Sequence, residues 1–128
     1  MPNKTTWNSS LLIGDPQVDK QHEELFNTWD ELKSALENKD TFALEGLRVK
    51  FLKYAVFHFS EEEALMETYR YPSSQLEHHQ KEHADFLLKL ESYSSELEKF
   101  SQYLENWLIH HVKNEDGKIG TWIKDNPL

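Results

Sequence analysis

Residues 54–66 read Tyr54-Ala55-Val56-Phe57-His58-Phe59-Ser60-Glu61-Glu62-Glu63-Ala64-Leu65-Met66. Tyr54, Ala55, His58, Phe59, Glu62, Leu65 and Met66 recur at the three-and-four spacing of one α-helical face. That face is apolar except for a histidine and a glutamate four residues apart, which project together from a helix. A carboxylate on a buried stripe needs a partner, because an unpaired buried charge is costly. A metal ion is one such partner, and helical bundles build metal sites from facing side chains in this way.

Working outward, the same stripe runs back through Phe51, Leu47 and Leu44 to Asp40, a helix cap, and forward to Tyr69, with Pro72 ending the helix. Three more amphipathic segments flank it. The first follows Asp19, read as its N-cap, with His22, Leu25, Phe26, Trp29, Leu32 and Leu36 on one face. The third carries Leu76, His79, His83, Phe86, Leu87 and Leu90, and Ser74 with Glu77 has capping-box spacing. The fourth carries Leu97, Phe100, Leu104, Trp107, Leu108 and His111, with Ser95 and Glu98 as a second capping box and Gly117 as its close.

Short connections make consecutive helices antiparallel. The chain is therefore expected to be all-α: one domain over residues 1–128, an up-down-up-down four-helix bundle with an N-terminal arm. The arm spans 1–18, the helices about 19–37, 41–70, 74–92 and 95–116, and a tail 117–128. Trp7, Leu11, Leu12 and Ile13 are too apolar for a free arm, so the arm is expected to pack on the bundle.

Composition narrows the function. The absence of cysteine excludes disulfides, thiolate metal sites and cysteine-ligated clusters. A net charge of −9 argues against a nucleic-acid surface. No apolar run approaches the ~20 residues that span a bilayer, and residues 1–6 lack an apolar signal core. The expectation is a cytoplasmic protein that binds neither nucleic acid nor membrane.

Five of the seven histidines, His22, His58, His79, His83 and His111, fall on the apolar stripes. A single buried histidine is more often a hydrogen-bonded core residue than a ligand. Two i,i+4 pairs, His58 with Glu62 and His79 with His83, change that balance. Axial level changes it further. At the helical rise, His22 and His58 stand ~24 Å and ~25 Å from the turn that joins their helices. Glu62 and His83 stand ~12 Å and ~13 Å from the next turn. His79 and His111 stand ~18 Å and ~24 Å from the last, a turn apart. All four helices thus bring histidine to one slab of the core. His78 and His110 point about 100° away from their stripe neighbours and read as surface residues.

With Glu62 and Asp116 the constellation has seven ligands, too many for one tetrahedral zinc. It suits two octahedral ions sharing carboxylates. Imidazole and carboxylate without thiolate fit iron, with manganese or zinc as alternatives. Oxygen-activating carboxylate bundles use four glutamates and two histidines. Five neutral imidazoles with two carboxylates favour reversible binding instead.

One spacing departs from an ordinary helix. Asp116 follows His111 by five residues, which is ~140° around a regular α-helix. Either the helix ends before Asp116 or a π-type widening between Ile109 and Asp116 brings both to one face. The second is expected.

The segments Val18-Asp19-Lys20-Gln21-His22, His58-Phe59-Ser60-Glu61-Glu62, Leu65-Met66, Tyr71-Pro72, His79-Gln80-Lys81-Glu82-His83 with Phe86, and Trp107-Leu108-Ile109-His110-His111 with Asp116 resemble the hemerythrin family, its bacterial branch in particular. The resemblance runs from Trp7 to Asp116. It implies two iron ions joined by an oxo or hydroxo bridge and by the carboxylates of Glu62 and Asp116. His79, His83 and His111 would serve the six-coordinate ion, and His22 and His58 the five-coordinate ion that receives dioxygen. Leu25, Phe59, Trp107 and Ile109 would line the oxygen pocket. His78 in place of His79 would pair with Glu82 and not with a histidine, which favours His79. The implied function is oxygen storage, transport or delivery with no catalytic residue, and small anions would bind the oxidised form. The alternatives are a redox or oxygen sensor signalling to an unspecified protein partner, and a di-iron enzyme handling peroxide or nitric oxide.

Overall fold

The computed structural model describes residues 11–128, so Trp7 lies outside the described residues. Its elements, in order, are α1 (Pro16–Glu37), α2 (Thr41–Thr68), α3 (Ser73–Ser92), α4 (Leu97–His110), a π-helical turn (His111–Asp116) and α5 (Gly117–Asp125). Helix α1 packs on α2 and α4, α2 on α3, and α3 on α4. That closes the four-helix ring expected of an up-down-up-down bundle. Among the described residues no helix is long and apolar enough to cross a membrane.

The helix starts differ from those the sequence predicts. Helix α1 begins at Pro16, not Asp19, because proline suits the first helical position, where its missing N–H would have no partner. Asp19 is not an N-cap. Its carboxylate accepts the backbone N–H of Ile13 at 2.7 Å and of Gly14 at 3.2 Å, fastening the arm to α1. Gly14 supplies the positive φ (98°) that this turn requires. Neither capping box forms. Helix α3 starts at Ser73 behind Pro72, and α4 at Leu97, because Ser95 is taken up in a turn closed by Glu96 N–H to the Tyr93 carbonyl. Asp40 does cap α2, accepting the Ala43 N–H at 3.1 Å.

Helices α1 and α2 end in the same way. Lys39 and Arg70 adopt the left-handed region, at φ 54° and 56°. Asp40 N–H then reaches the Ala35 carbonyl and Tyr71 N–H the Met66 carbonyl, the paired closure of a Schellman motif. At Gly117 the expected end of the fourth helix is absent. His111, Asp116 and Gly117 are all right-handed helical, so α4, the π turn and α5 form one continuous rod. The segment expected as a tail is therefore helical, and Ile119 is fully buried beside Met66 and Tyr71. Trp122 donates its indole N–H to the Tyr69 carbonyl at 2.8 Å, which ties α5 to the end of α2.

Among the described residues, two apolar clusters result. The larger contains Leu11, Leu25, Phe26, Trp29, Leu32, Phe51, Phe59, Phe86, Phe100 and Leu104. Leu11 thus packs as expected of the arm, while Leu12 is exposed. The smaller is built on Met66, Tyr71 and Ile119. The polar slab of histidines and carboxylates lies between them along α2, at His58 and Glu62.

Candidate dinuclear metal site

His22, His58, Glu62, His79, His83, His111 and Asp116 are all buried, at 4% exposure or less. Their donor atoms fall into two sets. Glu62, His79, His83, His111 and Asp116 form one, and His22, His58, Glu62 and Asp116 the other, with donors of each set within 4.8 Å of one another. Both carboxylates belong to both sets, and each turns one oxygen to each side. Glu62 Oε1 stands 2.9 Å from His79 Nε2 and 3.2 Å from His83 Nε2, while Oε2 stands 3.3 Å from the Nε2 atoms of both His22 and His58. Asp116 Oδ1 stands 2.9 Å from His79 Nε2 and 3.1 Å from His111 Nε2, and Oδ2 stands 3.0 Å from His22 Nε2.

The π turn makes this possible. Its wider winding carries residues five apart to nearly the same face. His111 and Asp116, its first and last residues, therefore both point inward.

The site tests well for a metal. Donors at right angles around an ion at ~2.1 Å stand ~3.0 Å apart. His111 Nε2 lies 3.1 Å from His79 Nε2 and 3.3 Å from His83 Nε2, so three ring nitrogens converge on one point at that spacing. Glu62 Oε2 and both Asp116 oxygens are buried close to ring nitrogens without an aligned hydrogen bond. Lone pairs aimed at a shared centre explain that geometry. The nitrogen and oxygen donor set, free of thiolate, fits iron, manganese or zinc.

Without metal, protons take the cation's place. Burial disfavours the charged form of His22, His79 and His111, but close contact with Asp116 and Glu62 at His22 and His79, and with Asp116 and Glu82 at His111, outweighs it and lifts them to about 9, about 10 and about 9. Burial prevails at His58 and lowers it. Burial would also raise Glu62 and Asp116, yet the surrounding imidazoles hold both well below the usual carboxylate range.

Three residues that sequence reading missed hold the outer nitrogens of the rings. His58 Nδ1 donates to Gln21 Oε1 at 2.8 Å, His83 Nδ1 to Glu63 Oε2 at 2.9 Å and His111 Nδ1 to Glu82 Oε2 at 3.2 Å. Such bonds fix the tautomer and leave Nε2 free to face inward. The signal was adjacency: Gln21, Glu63 and Glu82 each neighbour a stripe ligand, and each reaches a ring on the next helix. His78 is exposed and its Nε2 pairs with Glu82 Oε1 at 2.6 Å, outside both sets.

Of the four expected pocket residues, Phe59 lies flat on His83, with ring centroids 3.8 Å apart, and Trp107 on His111 at 4.1 Å. Leu25 lies in the larger core, and Ile109 packs half-buried at its edge.

Sequence comparison agrees with the architecture. The hemerythrin HHE cation binding domain matches residues 14–123. The chain is 30% identical to myohemerythrin of Riftia pachyptila over 120 residues, covering 92% of each. It is 26% identical to a hemerythrin-like protein of Naegleria gruberi over 118 residues, again 92% of each. To bacteriohemerythrin of Pseudomonas aeruginosa (strain LESB58) it is 26% identical over 117 residues, covering 86% of this chain and 75% of that protein. The match over nearly the whole chain, on a helical bundle whose buried slab gathers a histidine and carboxylate cluster able to hold metal, makes this chain a member of the hemerythrin family.

Proposed function

We propose that the protein binds dioxygen reversibly at a di-iron centre, as a single-domain carrier, store or donor in the cytoplasm and not as an enzyme. His22, His58, Glu62, His79, His83, His111 and Asp116 are its ligands. The observation that carries this reading is the two-sided carboxylate pair, with five donors on one side and four on the other. With an oxo or hydroxo bridge between the ions, the five donors around His79, His83 and His111 would hold one iron as the filled side, and the four around His22 and His58 would hold the other as the open side, where dioxygen or, in the oxidised form, a small anion would bind. When bound, the two irons supply the electrons that dioxygen takes up on binding and returns on release.

The chain's own residues favour return over reaction. Five neutral imidazoles donate less charge than a carboxylate-rich set, so highly oxidised iron is not stabilised. Glu62 and Asp116, which belong to both donor sets, would hold both ions. Leu25, Phe59, Trp107 and Ile109 keep bulk water, and with it protons, away from the centre.

Stopped-flow mixing of the ferrous protein with dioxygen, followed by removal of the gas, tests the reading. Reversible spectra over repeated cycles with slow autoxidation are expected. Irreversible oxidation at the first exposure, or turnover of peroxide or nitric oxide, would replace it with a sensor or an enzyme.

A further inference from the structure

The three outer hydrogen bonds are unequal in charge. Glu63 and Glu82 are anions behind His83 and His111, both in the five-donor set, whereas Gln21 is a neutral amide behind His58, in the four-donor set. The bonds run in one sense around the bundle, from α1 to α2, from α2 to α3, and from α3 to the end of α4. We propose that Gln21, Glu63 and Glu82 are positioning residues that give the two sides of the centre unequal donor strength. This rests on the di-iron reading above.

The physical cause is polarisation. An imidazole whose Nδ1–H is held by a carboxylate has a more electron-rich Nε2 than one held by an amide, because a charge-assisted hydrogen bond draws the proton further from the ring. Two such rings face the filled side and none of the three bonds places an anion behind the open side. An ion held on the filled side would therefore favour the ferric state more than one held on the open side. Burial makes the difference count: His83 and His111 are nearly inaccessible, while Glu63 and Glu82 are part-exposed, so their charges cost little to maintain.

Three substitutions separate this from a packing role. Glu63→Gln and Glu82→Gln keep an acceptor oxygen in place and remove only the charge. Gln21→Glu adds a charge behind His58. Glu115→Gln serves as control, because Glu115 lies near Glu82 but pairs with Lys118 and not with a ring. The iron content and reduction potential of each loaded protein are to be measured. With two irons bound in all, the potential should rise in Glu63→Gln and Glu82→Gln, fall in Gln21→Glu, and stay near the parent value in Glu115→Gln. Unchanged potentials in the first two with full iron, or an equal rise in the control, would overturn the proposal while leaving the di-iron reading intact. A parent protein that takes up no iron would instead remove that reading and this proposal with it. Should a variant load iron incompletely, its zinc(II) affinity against a chelator decides: about 10-fold weaker in the two glutamine variants and stronger in Gln21→Glu is expected, and equal affinities would overturn it.

Discussion

Glu62 is fully buried, and a histidine from each of α1, α2 and α3 stands against it. His83→Ala should therefore reduce iron content and lower stability of the loaded protein by about 3 kcal/mol, as breaking a buried pair does. His78→Ala removes only an exposed pair and should change stability by less than about 1 kcal/mol with iron retained. Elemental analysis with chemical denaturation of both variants checks this, and equal loss of iron would place the α3 ligands in the wrong register. The metal-free chain carries a second residue-scale prediction. His22, His79 and His111 have raised folded pKa values, so their contribution to stability is present below the unfolded value near 6.5 and is lost as pH climbs through about 9 to about 10. His58, lowered by burial, opposes this only on the acid side. Calorimetry of the metal-free protein should show its melting temperature falling between about pH 6.5 and 10, and a flat or rising profile there would contradict the proton-filled site. At this scale the seven inner residues were legible because histidine and carboxylate stand out against an apolar stripe. Gln21, Glu63 and Glu82 were not, because on one helix they look like ordinary polar flank residues, and only the neighbouring helix reveals what they touch.

At the scale of elements, the sequence carried the order and approximate extent of the four bundle helices, since hydrophobic periodicity is a property of long segments. It also carried the irregular winding between His111 and Asp116, because a five-residue spacing between two core-facing polar groups is incompatible with regular α-helix. Cap chemistry transferred poorly. Asp19, Ser74 and Ser95 each matched a local cap pattern, yet arm packing and prolines fixed the helix starts elsewhere. The left-handed ends at Lys39 and Arg70 had no glycine to announce them. That gives an engineering prediction. Left-handed backbone costs a non-glycine residue about 1–2 kcal/mol, partly offset by glycine's looser unfolded chain. Lys39→Gly should thus raise stability by about 0.5–1 kcal/mol in urea unfolding, and a loss would mean that the Lys39 side chain supports the α1–α2 turn.

For the molecule as a whole, α5 runs on from Asp116 at the site and meets the chain at Ile13. Gly120 is buried against the arm, and a Cβ there would collide with the Ile13 carbonyl oxygen. Gly120→Ala must push backbone from backbone, so a loss of about 1–3 kcal/mol is expected, read as a lower thermal midpoint in metal-free and loaded protein alike. An unshifted midpoint would show that the arm moves aside freely. The sequence placed neither α5 nor this contact, because Gly117 reads locally as a helix close although it is helical here, and Gly120 is required by a neighbour distant in the chain. What the whole fold serves is a slab in which four helical segments deliver two histidine sets to one shared pair of carboxylates. Elemental analysis of the protein produced with iron, together with its visible spectrum, tests that most directly: about two irons per chain with an iron-dependent band are expected, and one zinc per chain with no such band would contradict it.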